Sequence, residues 1–317
     1  MFLKNKLLIR FAQTVFAIFL VSYLLSLLDF KSVKALIDNG LLNQLWAGPF
    51  ILMLGLVLAA ERWRQILLCF DQVLSITQAF LMYLVGAFYG VLLPGVLGGD
   101  IARIALCKRK TGGSTYSIAG SIALERGLGL WGLAFLGSIG AIFVFVLMSD
   151  EVVFFTLLIA PSLTISVPII FLMVPFFFNS IKRMKGSSSI IQRIFEIFVR
   201  MRASFTKLPS SLIFRTMILS TAFQATEIVI YYYFGRVLGL DIPFAFYLFV
   251  IPLVYLATLI PISLGGVGVR EGVLVWFLTI AGISASDAVL LAFLVYLNRV
   301  VVSVIGGIVH AVNSFEN

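Results

Sequence analysis

Hydrophobic positions along this chain follow neither the two-residue rhythm of a half-buried strand nor the one-sided rhythm of a surface helix. They come in long unbroken runs, at about residues 11–28, 45–60, 75–93, 115–148, 152–178, 211–235, 244–260, 273–281 and 285–309. Several reach the ~20 residues a helix needs to cross a hydrocarbon core of ~30 Å. A transmembrane barrel would show alternating segments of ~10 residues instead. The pattern predicts an all-α polytopic membrane protein with about 7–9 membrane helices. No polar stretch is long enough for a separate soluble domain, so residues 1–317 read as one transmembrane domain.

The polar residues between the runs set the topology. Lys4, Lys6 and Arg10 precede the first run, which is longer than a signal-peptide core and has no small-x-small cleavage site after it. It reads as an uncleaved first helix with its N-terminus in the cytoplasm. Asp29 and Asp38 balance Lys31 and Lys34, so the next loop sits outside. Trp46 and Trp63 flank the second run at the depth of an aromatic belt, and Glu61-Arg62-Trp63-Arg64 reads as its cytoplasmic end. Ser149-Asp150-Glu151 fits outside, and Pro161, Pro168 and Pro175 kink the run that returns inward.

Residues 182–207 are the most basic part of the chain, with Lys182, Arg183, Lys185, Arg193, Arg200, Arg202 and Lys207. Ile190, Ile191, Ile194, Phe195, Ile197, Phe198 and Met201 recur there at helical spacing. This linker reads as an amphipathic helix on the cytoplasmic leaflet, where anionic lipid attracts each cation by ~1 kcal/mol. A solvated loop whose charge only fixes topology is the alternative.

Composition agrees with the membrane reading. Hydrophobic residues make up 61% of the chain and charged residues 12%, against roughly 25% charged in a soluble domain. The net charge of +9 follows from basic cytoplasmic loops, so no nucleic-acid partner is expected. Cys69 and Cys107 are far apart and read as free thiols. His310 is the sole histidine, so a histidine-built metal site is not expected, nor is a cofactor.

Two segments break the apolar pattern in the same way. Pro94, Gly98, Gly99 and Arg103 fall in register with Pro261, Gly265, Gly266 and Arg270, as Pro-x-x-x-Gly-Gly-x-x-x-Arg. Each break follows an apolar run and precedes a helix with an internal arginine, Arg126 or Arg299. The repeats cover about 75–148 and 244–309. About three crossings lie between the breaks, at 115–148, 152–178 and 211–235, and an odd number inverts the second copy. The expectation is two Pro/Gly-broken or re-entrant segments in an inverted repeat. Whether 75–93 crosses fully or dips and returns is left open by the pattern.

A broken helix aims backbone N–H groups and the positive end of a helix dipole at the break, which suits an anion. Arginine adds a planar fork that matches phosphate. Arg103, Arg126, Arg270 and Arg299, with Gly98, Gly99, Gly265 and Gly266, are therefore the candidate site for a phosphate-bearing substrate. Pairing with neighbouring acids is the competing role, through Asp100, Glu125 and Glu271. Asp100 can meet Arg103; Glu125–Arg126 and Arg270–Glu271 are adjacent on a helix and need partners from elsewhere. Glu227 lies three residues from Gln224 on one face, and is neutral, paired with an arginine, or set to meet a cationic headgroup.

Pro94-x-x-x-Gly98-Gly99-Asp100-x-x-Arg103, Leu124-Glu125-Arg126-Gly127-Leu128-Gly129 and the stretch from Pro261 through Arg270-Glu271-Gly272 together resemble the lysylphosphatidylglycerol synthase/flippase transmembrane family. The resemblance covers about residues 5–310. It departs at Glu125, where many relatives are expected to have Asp. It implies a flippase-like domain of the bacterial cytoplasmic (inner) membrane that moves a phospholipid or lipid-linked headgroup between leaflets. The multiple-peptide-resistance members also carry a cytoplasmic aminoacyl transferase, which these residues do not include, so transport rather than lysylation is the expectation.

Three functional classes follow. The first is a lipid translocase, not an enzyme. Its partners are a membrane phospholipid or lipid-linked substrate, anionic lipid at the basic linker, and a second copy of the chain or a separate lipid-synthesising protein. The second is a secondary transporter of a soluble anion, which broken helices suit equally. The third is an intramembrane lipid-modifying enzyme, which needs a poised acid and base. A P-loop lysine motif is absent, and Gly265-Gly266-Val267-Gly268 lacks the G-x-G-x-x-G spacing.

Overall fold

The computed structural model describes residues 22–24, 26–28, 41–93, 98–148, 209–259 and 268–312. The expectations for most of the first helix, for residues 152–178, for the basic linker 182–207, and for Pro94, Pro261, Gly265 and Gly266 lie outside the described residues. Within them every regular element is a helix: α1 (Leu41–Gln44), α2 (Ala47–Leu68), α3 (Ile76–Leu92), α4 (Gly98–Thr111), α5 (Thr115–Met148), α6 (Ser210–Val237), α7 (Phe244–Ala257), α8 (Val269–Ile280) and α9 (Ala285–Val312). Residues Thr115–Val144, Ser210–Val237 and Ala285–Val312 are long and apolar enough to cross a membrane by length and composition.

Local chemistry explains the helix ends. Ser75 and Gln78 form a reciprocal capping box at the start of α3, which satisfies two otherwise orphaned N–H groups. Pro243 precedes α7 in extended backbone, where its fixed φ suits a helix entrance. Gly268 precedes α8 at φ +82°, a conformation that an L side chain resists. Pro252 sits inside α7, so that helix lacks one backbone bond there.

Short helix, short helix, long helix occurs twice: α3–α4–α5 and α7–α8–α9. In each case the second helix folds back along the first. Gly99 lies against Gly86, Arg103 stacks on Tyr83, and Cys107 packs with Leu74 and Ala79 at the start of α3. The two ends of the α3–α4 hairpin therefore sit together. At 17 residues, α3 is about 25 Å long. In the second half Phe249 of α7 meets Phe277 of α8 edge-on at 6.4 Å.

The halves interlock by exchange. The first helix of each half packs on the long helix of the other, α3 on α9 and α7 on α5. Glycines set both contacts. A Cβ at Gly306 would lie 1.9 Å from the Leu84 carbonyl oxygen, and one at Gly140 would lie 2.4 Å from the Phe249 nitrogen. Such close backbone approach is how helices associate where lipid removes any hydrophobic drive between them. Gly306→Val is accordingly expected to force α9 off α3 and to cost at least the ~1–3 kcal/mol of an overpacked core. Thermal unfolding in detergent reads this directly; a variant as stable as the wild type would show that the contact is loose.

Among the described residues the core is one large cluster around Tyr231, Phe234, Tyr247, Val250 and Leu291, a second around Trp63, Met82 and Ile118, and a small third of Ile66, Phe70 and Leu124. Phe50, Leu54, Phe214, Trp276, Ile280, Val304 and Ile308 are apolar and exposed, as a surface facing lipid requires. The second run differs from its sequence reading. α2 does not end at Ala60 but continues to Leu68, and Trp63 is fully buried, with its indole N–H donating to Ser121 Oγ at 3.0 Å. It is a core residue, not a belt residue.

Candidate functional site

Where α2, α3, α4 and α5 meet, five acidic and basic side chains form an alternating chain: Arg62, Glu125, Arg103, Asp100, Arg126. Arg103 donates from Nη1 to Glu125 Oε2 at 2.9 Å and from Nη2 to Asp100 Oδ1 at 2.8 Å. Asp100 and Arg103 are one helical turn apart on α4, so both project from one face. Arg126 on α5 takes the other oxygen of Asp100 through Nε and Nη2, at 2.6 and 2.5 Å. Arg62 on α2 and the Tyr83 hydroxyl on α3 both donate to Glu125 Oε1. Arg62 also donates to Ser220 Oγ on α6 at 3.2 Å.

Aromatic faces complete this network. The Arg103 guanidinium lies 4.2 Å from the Tyr83 ring centre and 4.9 Å from that of Trp63. A cation over an aromatic face is attracted to it, and arginine's planar guanidinium is the commoner partner. Arg62, Asp100, Arg103 and Glu125 are all buried. The Arg126 side chain is 45% exposed, so the chain of charges runs from the interior to an accessible guanidinium. Three arginines face two carboxylates, leaving the described charges one positive unit in excess.

A second network lies among α6, α7, α8 and α9. Arg299 donates to Glu227 and to the Tyr255 hydroxyl, and Tyr255 donates to Glu227 Oε2 at 2.7 Å. Arg270 pairs with Glu271 through Nε and Nη2 at 2.9 and 2.5 Å, and its guanidinium lies 5.7 Å from the Tyr296 ring centre. The two networks are joined through α6. Ser220 touches the first and Glu227 belongs to the second, seven residues on, or about 10 Å along the helix.

The structure thus brings Arg103 and Arg126 together, and holds Arg270 and Arg299 in the other half. All four arginines have carboxylate partners. Glu125 and Arg126 find theirs on other elements, as their adjacency requires. Arg270 and Glu271 do not: they pair with each other. Glu271 is in the first turn of α8, where it reaches back to accept the Gly268 N–H at 2.8 Å, and Arg270 folds over the same carboxylate. The rule that helix neighbours diverge holds for a helix interior and gives way where a side chain caps the terminus.

Asp100 likewise occupies the first turn of α4. In both halves the dipole end that could attract an anion already has an internal acid. Gly98 and Gly99 serve the hairpin contact: a Cβ would lie 2.8 Å from the Tyr89 carbonyl oxygen and 2.5 Å from that of Gly86, respectively.

Sequence reasoning missed Arg62, Tyr83 and Tyr255. Arg62 was legible in principle, because Ile66-Leu67-Leu68 continues the apolar run past the charges. The tyrosines carry no local signal. Cys69 and Cys107 are both free.

A compact set of helices with an apolar exterior, three spanning candidates and ion pairs buried inside is a polytopic membrane protein. The family model for the lysylphosphatidylglycerol synthase TM region matches residues 10–307, and the chain belongs to that family. No curated protein and no solved structure matches it.

Proposed function

We propose that this protein is a lipid translocase that holds the phosphate of a phospholipid or lipid-linked headgroup at its buried arginines while the acyl chains stay in the bilayer. The observation that carries this reading is the first network. Intramembrane charge is expensive and is kept where substrate passes, and here a row of buried charges ends at a half-exposed arginine. Phosphate competes with carboxylate for the same guanidinium fork. A headgroup phosphate meeting Arg126 can therefore take over the Nε and Nη2 donors that now share the single oxygen Oδ2 of Asp100, which keeps Arg103 through Oδ1. The family's lipid context favours a lipid over a soluble anion as the substrate.

The α3–α4 and α7–α8 hairpins act as re-entrant segments, and the exchanged packing of α3 on α9 and α7 on α5 supports an inverted repeat with its substrate path between the halves. The activity is transport and forms no bond. The protein sits in a bacterial inner membrane with its N-terminus cytoplasmic, and draws its energy from a gradient or a partner.

Leaflet exchange in proteoliposomes tests this. Headgroup-labelled phosphatidylglycerol, its aminoacylated form and a polyprenyl phosphate are reconstituted with the purified protein, and a membrane-impermeant quencher reports the outer leaflet. Exchange of at least one lipid is expected, and Arg270→Ala is expected to abolish it while the protein still inserts. Normal exchange by that variant would remove Arg270 from the site; no exchange of any of the three would remove the translocase reading.

A further inference from the structure

The carboxylates of the two networks are not equally supplied with cations. Glu125 accepts from Arg62 and Arg103 as well as Tyr83. Asp100 accepts from Arg103 and Arg126. Glu271 has Arg270 and the Gly268 N–H. Glu227 has Arg299 and the neutral Tyr255 hydroxyl, with no second cation and no backbone donor among the described residues. Arg299 in turn has an unmet need: its Nε is buried and has no acceptor among the described residues. An arginine with a spare inward donor, paired to one carboxylate, is arranged to take a second acceptor.

We infer that an anionic phosphate diester engages Arg299 in exchange for Glu227, and that Glu227 takes up a proton as it loses the one cation paired with it among the described residues, so that substrate and proton move together. A charged carboxylate left alone inside a membrane protein is far costlier than a neutral acid. The other three carboxylates keep a cation or a backbone donor when one arginine turns away. The proton comes from water and goes to a Glu227 carboxylate oxygen, and the remaining oxygen still accepts from Tyr255. The net charge of the site with bound substrate then equals that of the empty site.

The surroundings contain the groups this exchange needs and few others. Tyr255 faces Glu227 from α7 and Arg299 from α9. Tyr231 on α6 lies within electrostatic reach of Glu227, Arg299, Arg270 and Glu271. α2 presents Gly55 to Thr226 at this level, and its Glu61, Arg62 and Arg64 lie further along. α5 presents Gly129 to Gln224, and its Glu125 and Arg126 are held in the first network. This coupling rests on the phosphate-holding reading above, and the test separates the two.

Purified protein in detergent, weakly buffered with a pH indicator, is titrated with dihexanoyl phosphatidylglycerol in one arm and with water-soluble glycerophosphoglycerol in the other. Both are diesters that do not titrate near neutral pH. About one proton should be taken up per probe bound, with affinity rising about tenfold for each unit fall in pH. Glu227→Gln should bind with no proton uptake and a flat pH dependence, and Glu227→Asp should retain both. In proteoliposomes an imposed pH gradient should drive exchange of labelled phosphatidylglycerol by the wild type and not by Glu227→Gln. Binding without proton uptake by the wild type, or undiminished uptake by Glu227→Gln, overturns the coupling and leaves the translocase reading standing. Failure to bind either probe overturns both. Uptake with the soluble diester alone keeps the coupling and assigns it to a soluble anion.

Discussion

Arg103→Ala is expected to destabilise the protein by about 3–5 kcal/mol, the usual cost of removing one partner from a buried ion pair. The reason is what stays behind. Arg103 is 5% exposed and bridges Asp100 and Glu125. Its removal leaves two buried carboxylates with one fewer cation, and takes away the guanidinium that packs on the rings of Trp63 and Tyr83. Chemical unfolding in detergent, or the melting temperature of purified protein, measures the loss. Adding Glu125→Gln should return part of it, because the amide carries no charge to leave unpaired. A single variant within about 0.5 kcal/mol of the wild type, the range of an ordinary surface change, would mean that this network is bathed in water rather than enclosed.

The second large effect falls on transport and spares the fold. Arg126→Ala should cost at most about 1 kcal/mol of stability, since a half-exposed ion pair is screened by solvent and Asp100 retains Arg103. Leaflet exchange at subsaturating lipid should nonetheless fall about ten- to hundredfold, the worth of a charge-assisted hydrogen bond of ~1.5–3 kcal/mol to the headgroup. Arg126→Lys should recover only part of the rate, because an ammonium keeps the charge but not the fork. Exchange by Arg126→Ala at the wild-type rate would place the entry point elsewhere. Arg103→Ala and Arg126→Ala therefore separate two roles that residue type alone does not distinguish.

How far the sequence could be read depended on the range of the force involved. The bounds of α5, α6 and α9 were legible to within a few residues, because hydrocarbon thickness imposes a minimum apolar length that appears directly in the chain. The failure at α2 has the same origin. Four polar or amphipathic residues at positions 61–64 look like a membrane boundary if nothing pairs with them. Glu125, distant in sequence, does pair with Arg62, and the helix runs on. Arg270 and Glu271 were misjudged for a local reason, a capping geometry at a helix start that interior spacing rules do not describe.

The chain alone determined that this is an all-helical membrane protein and that the Gly-Gly-x-x-x-Arg pattern occurs in both halves. Apolar run length and the cost of intramembrane charge are properties of the segment itself, so they need no partner to be visible. Only the tertiary structure decided how those charges are shared. Among the described residues it divided them into two networks along α6, gave Glu125 and Asp100 two arginines each and Glu227 one, Arg299, turned Gly98 and Gly99 into a packing surface, and brought in Arg62, Tyr83 and Tyr255. Each of these depends on which helix faces which, and that is set by close glycine contacts such as Gly306 on Leu84 and Gly140 on Phe249, between residues far apart in the chain.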